Sequence, residues 1–220
     1  MTNRVAQITI CLLVAVAVLA LVPTVSFAAN SSPVLPPSSR PHGRTYTEWS
    51  VLWWQWFLHL TPAQFNACTI GQGNPNVAFL YGGMVNGSQL VCGGTVSSNT
   101  FLFFPVGNVE CSNLEAPPFF GATPAARDSC AFNFFTQLST GKVTLDGALL
   151  PNYSTKSPDF AFTVGSDNVF GISCPSGSCA GQSTGYGYYV MLAPLQSGTH
   201  TIHITASDYG IDTIWMLTVH

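Results

Sequence analysis

Residues 186–219 have the sequence YGYYVMLAPLQSGTHTIHITASDYGIDTIWMLTV and contain the clearest structural pattern in the chain. Three runs rich in β-branched and aromatic residues occupy positions 186–193, 200–206 and 212–219, and this composition is typical of β-strands. The stretch at 194–198, which begins with proline and ends with glycine, separates the first two runs as a turn. The C-terminal part of the chain is therefore predicted to form three consecutive strands.

Shorter strands are predicted upstream of this region, each bounded by turn residues. They cover residues 76–81, 89–92, 101–106, 160–164 and 169–172. The dipeptide Asp146-Gly147 between two apolar runs predicts a type I′ hairpin. Roughly nine strands and few helices predict a mainly β fold: an antiparallel β-sandwich of jelly-roll or immunoglobulin-like type with two packed α-helices. An α/β sheet would need a helix between most of its strands.

Two helices are predicted from their start signals. Thr45 and Glu48 fit a capping box, in which the two side chains satisfy free amides at the start of a helix. Apolar residues then recur with helical spacing until Pro62 ends the segment. The second predicted helix covers residues 124–138, because Thr123 is a suitable N-cap and proline is favoured at the first helical position.

The N-terminus carries the pattern of a cleavable secretory signal. Arg4 supplies a positive charge, residues 8–22 are apolar apart from one threonine, and Ser26 and Ala28 place small residues where signal peptidase cuts. The alternative is a retained membrane anchor, but the apolar run is shorter than the ~20 residues needed to span a bilayer. Residues 1–28 are therefore predicted to be removed, and the protein to be secreted to the extracellular space or the periplasm.

Residues 29–42 contain four prolines among serines and are predicted to be a linker. A segment of this composition buries little apolar surface. The remaining residues, 43–220, are enough for one domain with its own hydrophobic core. The sequence thus predicts a signal peptide, a linker and a single β-sandwich domain.

Charged residues make up only 7% of the chain, against about 25% in an average soluble protein. Six Lys and Arg residues less Arg4 leave five against nine acidic residues, so the net charge after cleavage is −4. Too few basic residues remain to neutralise phosphates, which argues against a nucleic acid as partner. The same shortage argues against an anionic membrane, and no second apolar segment is long enough to span one.

Six of the seven cysteines remain after the predicted cleavage, because Cys11 leaves with the signal. An even number in an exported chain indicates a disulfide framework, with about fifteen possible connectivities. The short loop that ends in Cys174 and Cys179 favours pairing of these two, and nearest neighbours are expected for the rest. The predicted bridges are Cys68 with Cys92, Cys111 with Cys130, and Cys174 with Cys179. Because no C-x-x-C pair or suitably spaced histidine is present, no metal or cofactor is predicted.

Four tryptophans lie close together in the first predicted helix, which is apolar almost all round. Such a helix is typically buried on two sides, so these side chains are expected to pack in the core. The alternative is a platform for sugar stacking. Trp54, which lies on the opposite side of the helix from the other three tryptophans, is the candidate ligand-binding residue. A membrane anchor is disfavoured because the helix has no Lys or Arg.

Two glutamates are the first candidates for chemistry. Glu110 and Glu115 flank Cys111 just past the apolar strand at 101–106. A glutamate pair at the exit of a strand can supply the acid and the base for glycosidic chemistry. The alternative is that Glu110 bonds backbone amides in a turn while Glu115 is solvated.

His203 is the third catalytic candidate. An offset of three residues on a strand puts His200 and His203 on opposite faces, so the two cannot chelate one metal together. His203 shares its face with threonines, and this face is polar enough to meet water or a ligand.

Several short motifs together cover most of the predicted domain. They are Glu48-Trp-Ser50 with Trp53-Trp-Gln-Trp56, Phe103-Phe-Pro-Val106 with Asn108-x-Glu-Cys-Ser112, Val143-x-x-Asp-Gly147, Tyr189-x-Met-Leu-x-Pro-Leu195 and Gly198-x-His-x-Ile202. In combination the chain resembles a set of uncharacterised secreted bacterial proteins. The resemblance implies a bacterial origin and a single exported domain, and it implies no activity.

The leading functional hypothesis is a binding or structural module of the cell exterior, with extracellular polysaccharide or another polar polymer as ligand. It depends on the sandwich architecture, on the aromatic-rich and charge-poor composition, and on the lack of a recognisable catalytic motif. The competing hypothesis is a carbohydrate-active hydrolase or lyase that uses Glu110 and Glu115, with His203 nearby. A third is a purely structural surface protein. The sequence does not indicate an oligomeric state.

Overall fold

The computed structural model describes residues 32–85 and 88–220, and within them the protein is mainly β. The predicted signal peptide, residues 1–28, lies outside the described residues. Among the helices that are described, none has the length and apolar character needed to cross a membrane. Strands β1 to β12 are Gly71–Asn74, Val77–Phe79, Met84–Val85, Ser88–Val96, Phe101–Ser112, Lys142–Leu145, Ala148–Leu149, Tyr153–Lys156, Phe160–Gly165, Ser178–Leu192, Gly198–Ala206 and Ile211–Val219.

The strands form two sheets of six. The first sheet has the order β1-β2-β5-β10-β8, and β9 pairs with β10 beside β8. The second sheet has the order β3-β4-β12-β11-β6-β7. The long strand β10 therefore organises the first sheet, because β5 lies along one of its edges while β8 and β9 share the other.

Both sheets are mixed, so the prediction of purely antiparallel sheets is wrong. β2 pairs with β5 in parallel, and β4 pairs with β12 in parallel, whereas the other pairs are antiparallel. The parallel pair β4–β12 joins strands that lie more than a hundred residues apart in the sequence. Turn residues specify hairpins between neighbouring strands, and they carry no information on such distant pairs.

The described part of the chain contains three α-helices where two were predicted: α1 (Tyr46–Phe57), α2 (Pro62–Asn66) and α3 (Pro124–Phe135). The predicted capping box of α1 is confirmed, since the Thr45 amide donates to Glu48 Oε2 at 2.7 Å and the Glu48 amide donates to Thr45 Oγ1 at 3.2 Å. The short helix α2 begins with a second capping box, formed by Thr61 and Gln64. The first helix ends at Phe57, before Pro62, and Pro62 instead starts α2, since proline is well tolerated at the first helical position.

Helices α1 and α3 lie on opposite faces of the first sheet. A side chain at Gly185 on β10 would collide with the Trp54 ring of α1, whereas the ring of the next residue, Tyr186, stacks on Phe135 of α3 at 5.5 Å. Because successive residues of a strand point to opposite faces, the two helices must cover different sides. Glycine at 185 allows α1 to approach the sheet closely.

The tryptophan-rich helix packs mainly in the core, as expected. Trp49 and Trp53 are fully buried, and Trp53 Nε1 donates to the carbonyl of Leu80 at 2.7 Å. On the second sheet, Trp215 Nε1 donates to the carbonyl of Tyr81 at 2.8 Å. One hydrophobic core therefore receives side chains from α1 and from both sheets.

The described part of the predicted linker, residues 32–42, packs against the domain. Val34 is only 5% exposed and forms an antiparallel bridge with Leu192, and the Leu35 amide donates to the carbonyl of Met191 at 2.8 Å. The Tyr46 hydroxyl in turn donates to the Leu35 carbonyl at 2.6 Å. This short segment extends the backbone pairing of β10 and covers part of the core.

Three disulfides join the cysteine pairs that were expected from nearest neighbours. They are Cys68–Cys92, Cys111–Cys130 and Cys174–Cys179, with Cα–Cα distances of 5.4, 6.0 and 5.6 Å. The second bridge ties α3 to β5. In the hairpin predicted at Asp146-Gly147, both residues have positive φ, 51° and 83°, as a type I′ turn requires.

Candidate functional site

Glu110 and Glu115 line the same cavity, which has a volume of about 540 Å³. The cavity lies between the end of β5, the C-terminal end of α3 and the turn that joins β11 to β12. Its lining residues are Trp54, Asn108, Val109, Glu110, Glu115, Phe119, Phe134, Leu138, Val169, Phe170, Asp208 and Tyr209. The two glutamates and Trp54, which were singled out from the sequence, therefore meet at one site.

The edge of β5 explains why a cavity forms here. β2 pairs with β5 only from Phe101 to Phe103. From Phe104 to Cys111, β10 is the only strand paired with β5 in the part of the chain that the structure describes. Loop segments and the end of α3 cover the second edge instead, and they leave a hollow beside Glu110.

Glu110 is 4% exposed and interacts directly with Ser183 on β10. The Ser183 hydroxyl lies within hydrogen-bonding distance of two acceptors, Glu110 Oε2 and, at 3.1 Å, the carbonyl oxygen of Cys111. A hydroxyl has one proton, and a carbonyl oxygen can only accept. Both contacts are satisfied when Ser183 donates to Cys111 and a protonated Glu110 donates to Ser183.

The environment of Glu110 favours this protonated form. Burial raises the pKa of Glu110 well above its ordinary value, and the neighbouring Glu115 carboxyl raises it further, while the contact with Ser183 acts in the opposite direction. Glu110 is therefore a neutral acid at pH values at which an exposed glutamate is ionised. Its single proton has two acceptors within reach, the Ser183 hydroxyl and the Glu115 carboxyl.

Glu115 is the more accessible member of the pair. It follows β5 and is held by Ser112, whose hydroxyl donates to Glu115 Oε2 at 2.9 Å and accepts from the Glu115 amide at 3.2 Å. Burial raises the pKa of Glu115, whereas its interactions with Glu110 and Ser112 lower it. The two carboxyls thus titrate as a pair in which Glu110 keeps its proton to higher pH.

Three buried polar atoms that line the cavity have no hydrogen-bond partner among the described residues. They are Trp54 Nε1, Glu110 Oε1 and the Tyr209 hydroxyl. Trp54 lies beside the Tyr189 hydroxyl, but its Nε1 has no partner that meets both the distance and the angle of a hydrogen bond. Buried polar atoms are nearly always paired, so three exceptions around one cavity indicate a place for a polar ligand.

Trp54 cannot stack a sugar on its ring face, because the residue is only 3% exposed. Its ring packs against Gly185 and lies edge-on to Trp53, with ring centroids 5.0 Å apart. The ring edge that carries Nε1 lies against Gly185, and the ring faces are buried. The contribution of Trp54 to a ligand is therefore a single hydrogen-bond donor.

Tyr209 was missed in the sequence analysis. It lies on the turn Ser207–Tyr209 between β11 and β12, and burial raises its pKa, so that its hydroxyl remains a donor. The adjacent Asp208 accepts hydrogen bonds from the amide of Ser139 at 3.1 Å and from its hydroxyl at 2.5 Å. These contacts fix the turn against the chain that follows α3.

His203 lies elsewhere. On the second sheet its Nε2 is 2.8 Å from Asp212 Oδ1, and Gln89 Nε2 donates to the same oxygen at 2.7 Å. The structure brings Glu110 and Glu115 together and does not bring His203 to their cavity. The His203 side chain is paired instead with Asp212 on the neighbouring strand, at the protein surface.

The loop between β9 and β10 forms one wall of the cavity and is held firmly. Asn168 is buried, its Nδ2 donates to the carbonyls of Gly165 and Ile172 at 2.9 Å each, and its Oδ1 accepts from the Ile172 amide at 2.9 Å. The Val169 amide donates to the carbonyl of Leu60 at 3.1 Å. The strand predicted at 169–172 is wrong, because the segment turns around the Asn168 side chain instead.

Within the described ranges, no cluster of three or more His, Cys, Asp or Glu side chains could hold a metal ion. The cavity combines the two glutamates and Asp208 with aromatic walls and two unpaired donors. A comparison of the sequence with protein-family models finds no match, and a comparison with curated proteins finds no significant match.

Proposed function

We propose that the protein is an exported binding module and that a carbohydrate, or a similar polar polymer, occupies the cavity beside Glu110. The observation that carries this proposal is the set of three unpaired polar atoms on Trp54, Glu110 and Tyr209. An unpaired buried polar atom costs about 1–3 kcal/mol, and a ligand that pairs all three recovers this free energy.

The chemistry of the cavity suits hydroxyl groups. Trp54 Nε1 and the Tyr209 hydroxyl can donate, and Glu110 Oε1 can accept, so the ligand must offer both acceptors and donors at short spacing. Each sugar hydroxyl does both. The rings of Phe119, Phe134 and Phe170 supply apolar walls for the C–H faces of a sugar. Glu115 and Asp208 are acidic, which disfavours an anionic ligand.

The architecture and location that accompany this function are a β-sandwich made from the two sheets and a position outside the cytoplasm. Disulfides persist in oxidising compartments, so the three bridges support export to the extracellular space or the periplasm. Expression of the full chain in a bacterial host and sequencing of the exported product tests the location. The expected N-terminus follows Ala28, and retention of residues 1–28 on a membrane-bound product would contradict it.

Binding is tested by incubating the mature protein with immobilised cellulose oligomers, xylan, mannan and polygalacturonate. We expect at least one of the neutral polymers to retain the protein. Polygalacturonate should bind the protein more weakly. Tyr209→Phe removes one hydroxyl and should weaken binding by up to about tenfold, the usual effect of a neutral hydrogen bond. Tyr153→Phe, the same change away from the cavity, is the control. Failure of every polymer to bind would reject the proposal.

A second candidate is a carbohydrate-active hydrolase or lyase, favoured by the convergence of Glu110 and Glu115 on one cavity and by their raised pKa values. Binding is favoured over it because Glu110 is almost fully buried and its carboxyl is already engaged by Ser183 and Glu115. The test is release of reducing ends from the same polymers. A hydrolase should lose its activity in Glu115→Gln while retaining the fold, and absence of cleavage by the native protein would exclude this candidate for those polymers.

A further inference from the structure

We infer that the site takes a linear oligosaccharide several units long, which lies across three adjoining hollows with Phe170 as their shared wall. This inference depends on the proposed function and specifies the length of its ligand. It also assigns to Phe170 a role that the sequence analysis did not.

Two smaller hollows adjoin the cavity beside Glu110. One, of about 290 Å³, lies toward α2 and shares Val169 and Phe170 with the cavity. The other, of about 360 Å³, lies toward the segment after β5 and shares Glu115, Phe119 and Phe170 with it. Phe170 borders all three hollows, so they adjoin one another around this side chain.

The three hollows differ in character. The hollow toward α2 is walled by the rings of Phe57, Phe65 and Phe170 and offers an apolar surface. The central cavity carries the unpaired donors and the acid pair. The third hollow is more polar and is bordered by Glu115 and Ser173. A chain of sugars presents apolar C–H faces and hydroxyl groups on every unit, and it can therefore use all three environments in turn.

Phe170 is held in place before any ligand binds. Asn168 pins the loop through its three side-chain hydrogen bonds, and the Phe170 ring packs perpendicular to Phe57 with centroids 5.8 Å apart. The Cys174–Cys179 bridge closes the chain just beyond the loop. Because the Phe170 side chain is already fixed, binding loses less conformational entropy at this wall. This suits a side chain that contacts several sugar units at once.

The test measures dissociation constants for β-1,4-linked glucose, xylose and mannose oligomers of increasing length, from the monosaccharide to about six units. We expect affinity to rise at least about tenfold from one unit to the length that fills the three hollows, and then to level off. Phe170→Ala should weaken binding of the longer oligomers about tenfold or more and flatten the length dependence, whereas Phe170→Tyr keeps the ring and should retain it.

Phe132→Ala is the matched control, because Phe132 is 48% exposed on α3 and borders none of the three hollows. Thermal melting of each variant separates a lost contact from a lost fold. Equal affinity for the monosaccharide and the longest oligomer would overturn the extended site while leaving the proposed binding function intact. A folded Phe170→Ala protein whose affinity still rises with oligomer length as in the native protein would also overturn the extended site. Failure of both oligomers and polymers to bind would reject the extended site and the binding function together.

Discussion

Glu110 is a carboxyl group with almost no access to solvent, and burial together with the neighbouring Glu115 carboxyl holds its pKa well above the ordinary value. Ser183 lies opposite Ser112 in the pairing of β10 with β5, which places its hydroxyl between Glu110 and the carbonyl of Cys111. The hydroxyl can then take a proton from one group and give its own to the other. A charged carboxylate at this position would face Glu115 and would lack the solvation that water provides.

Glu110→Gln should stabilise the protein at neutral pH. Because folding raises the pKa of Glu110 above the ordinary value of 4.5, the folded state holds a proton that the unfolded state releases. The contribution of Glu110 to stability is therefore fully present below the ordinary value and falls as the pH rises from the ordinary value toward the raised one, with a slope of up to about 1.4 kcal/mol per pH unit. Glutamine imitates the protonated acid and removes this slope.

Urea denaturation of the native protein and Glu110→Gln across the acid and neutral range measures the effect. The control is Asp167→Asn, which neutralises an exposed carboxylate. Identical pH profiles for the native protein and Glu110→Gln would contradict the assignment of a protonated Glu110.

Residues of the site differ in how well the sequence reveals them. Glu110 and Glu115 were found because carboxyls are rare in this chain and these two flank Cys111 near the end of one strand; Glu110 lies within β5 and Glu115 follows it. Tyr209 and Phe170 were missed because they lie on turns far away in sequence, and only the folded chain brings them to the glutamates. His203 was a candidate from the sequence, yet it lies away from the cavity. Alternation along a strand gives the face on which a residue lies, but it does not give the residues that lie near it.

At the level of elements, local signals predicted α1, the start of α3 and the hairpin of β6 and β7. Each depends on interactions between residues a few positions apart, such as the reciprocal bonds of Thr45 and Glu48. The parallel pairs β2–β5 and β4–β12 had no such signal. Their pairing is fixed by packing of the whole core, which a single sequence does not specify.

Gly147→Ala should destabilise the hairpin by about 1–2 kcal/mol. Gly147 has φ of 83°, where a side chain strains the backbone even though no atom lies within 4 Å of its position. Gly93→Ala on β4 is the matched control, because its nearest contact is 4.0 Å away and no positive φ is involved. Thermal or urea unfolding of both variants should show a loss only for Gly147→Ala, and a comparable loss in both would refute the argument from backbone strain.

For the whole molecule, three disulfides and one shared core compensate for a chain with few charges and no long helices in the described residues. The bridges differ in the length of chain that they close: the sequence separations are 24, 19 and 5 residues. Cys111–Cys130 also joins α3 to the first sheet, and α3 carries Phe134 to the wall of the cavity. Its effect should therefore extend from global stability to the shape of the binding site.

Removal of Cys111–Cys130 by a double change to alanine should cost about 3 kcal/mol, and removal of Cys174–Cys179 about 2 kcal/mol, in the chain-entropy model of disulfide stabilisation. The difference arises because the longer loop restricts the unfolded chain more. Urea denaturation of the two double variants under identical conditions compares them, and coincident transitions by fluorescence and circular dichroism establish that each unfolds in one step. The Cys111–Cys130 variant should also bind glycans less tightly, because α3 then loses its covalent tie to the strand that carries Glu110. A larger loss of stability on removing Cys174–Cys179 would mean that native contacts around the Phe170 loop, rather than chain entropy, dominate the contribution of that bridge.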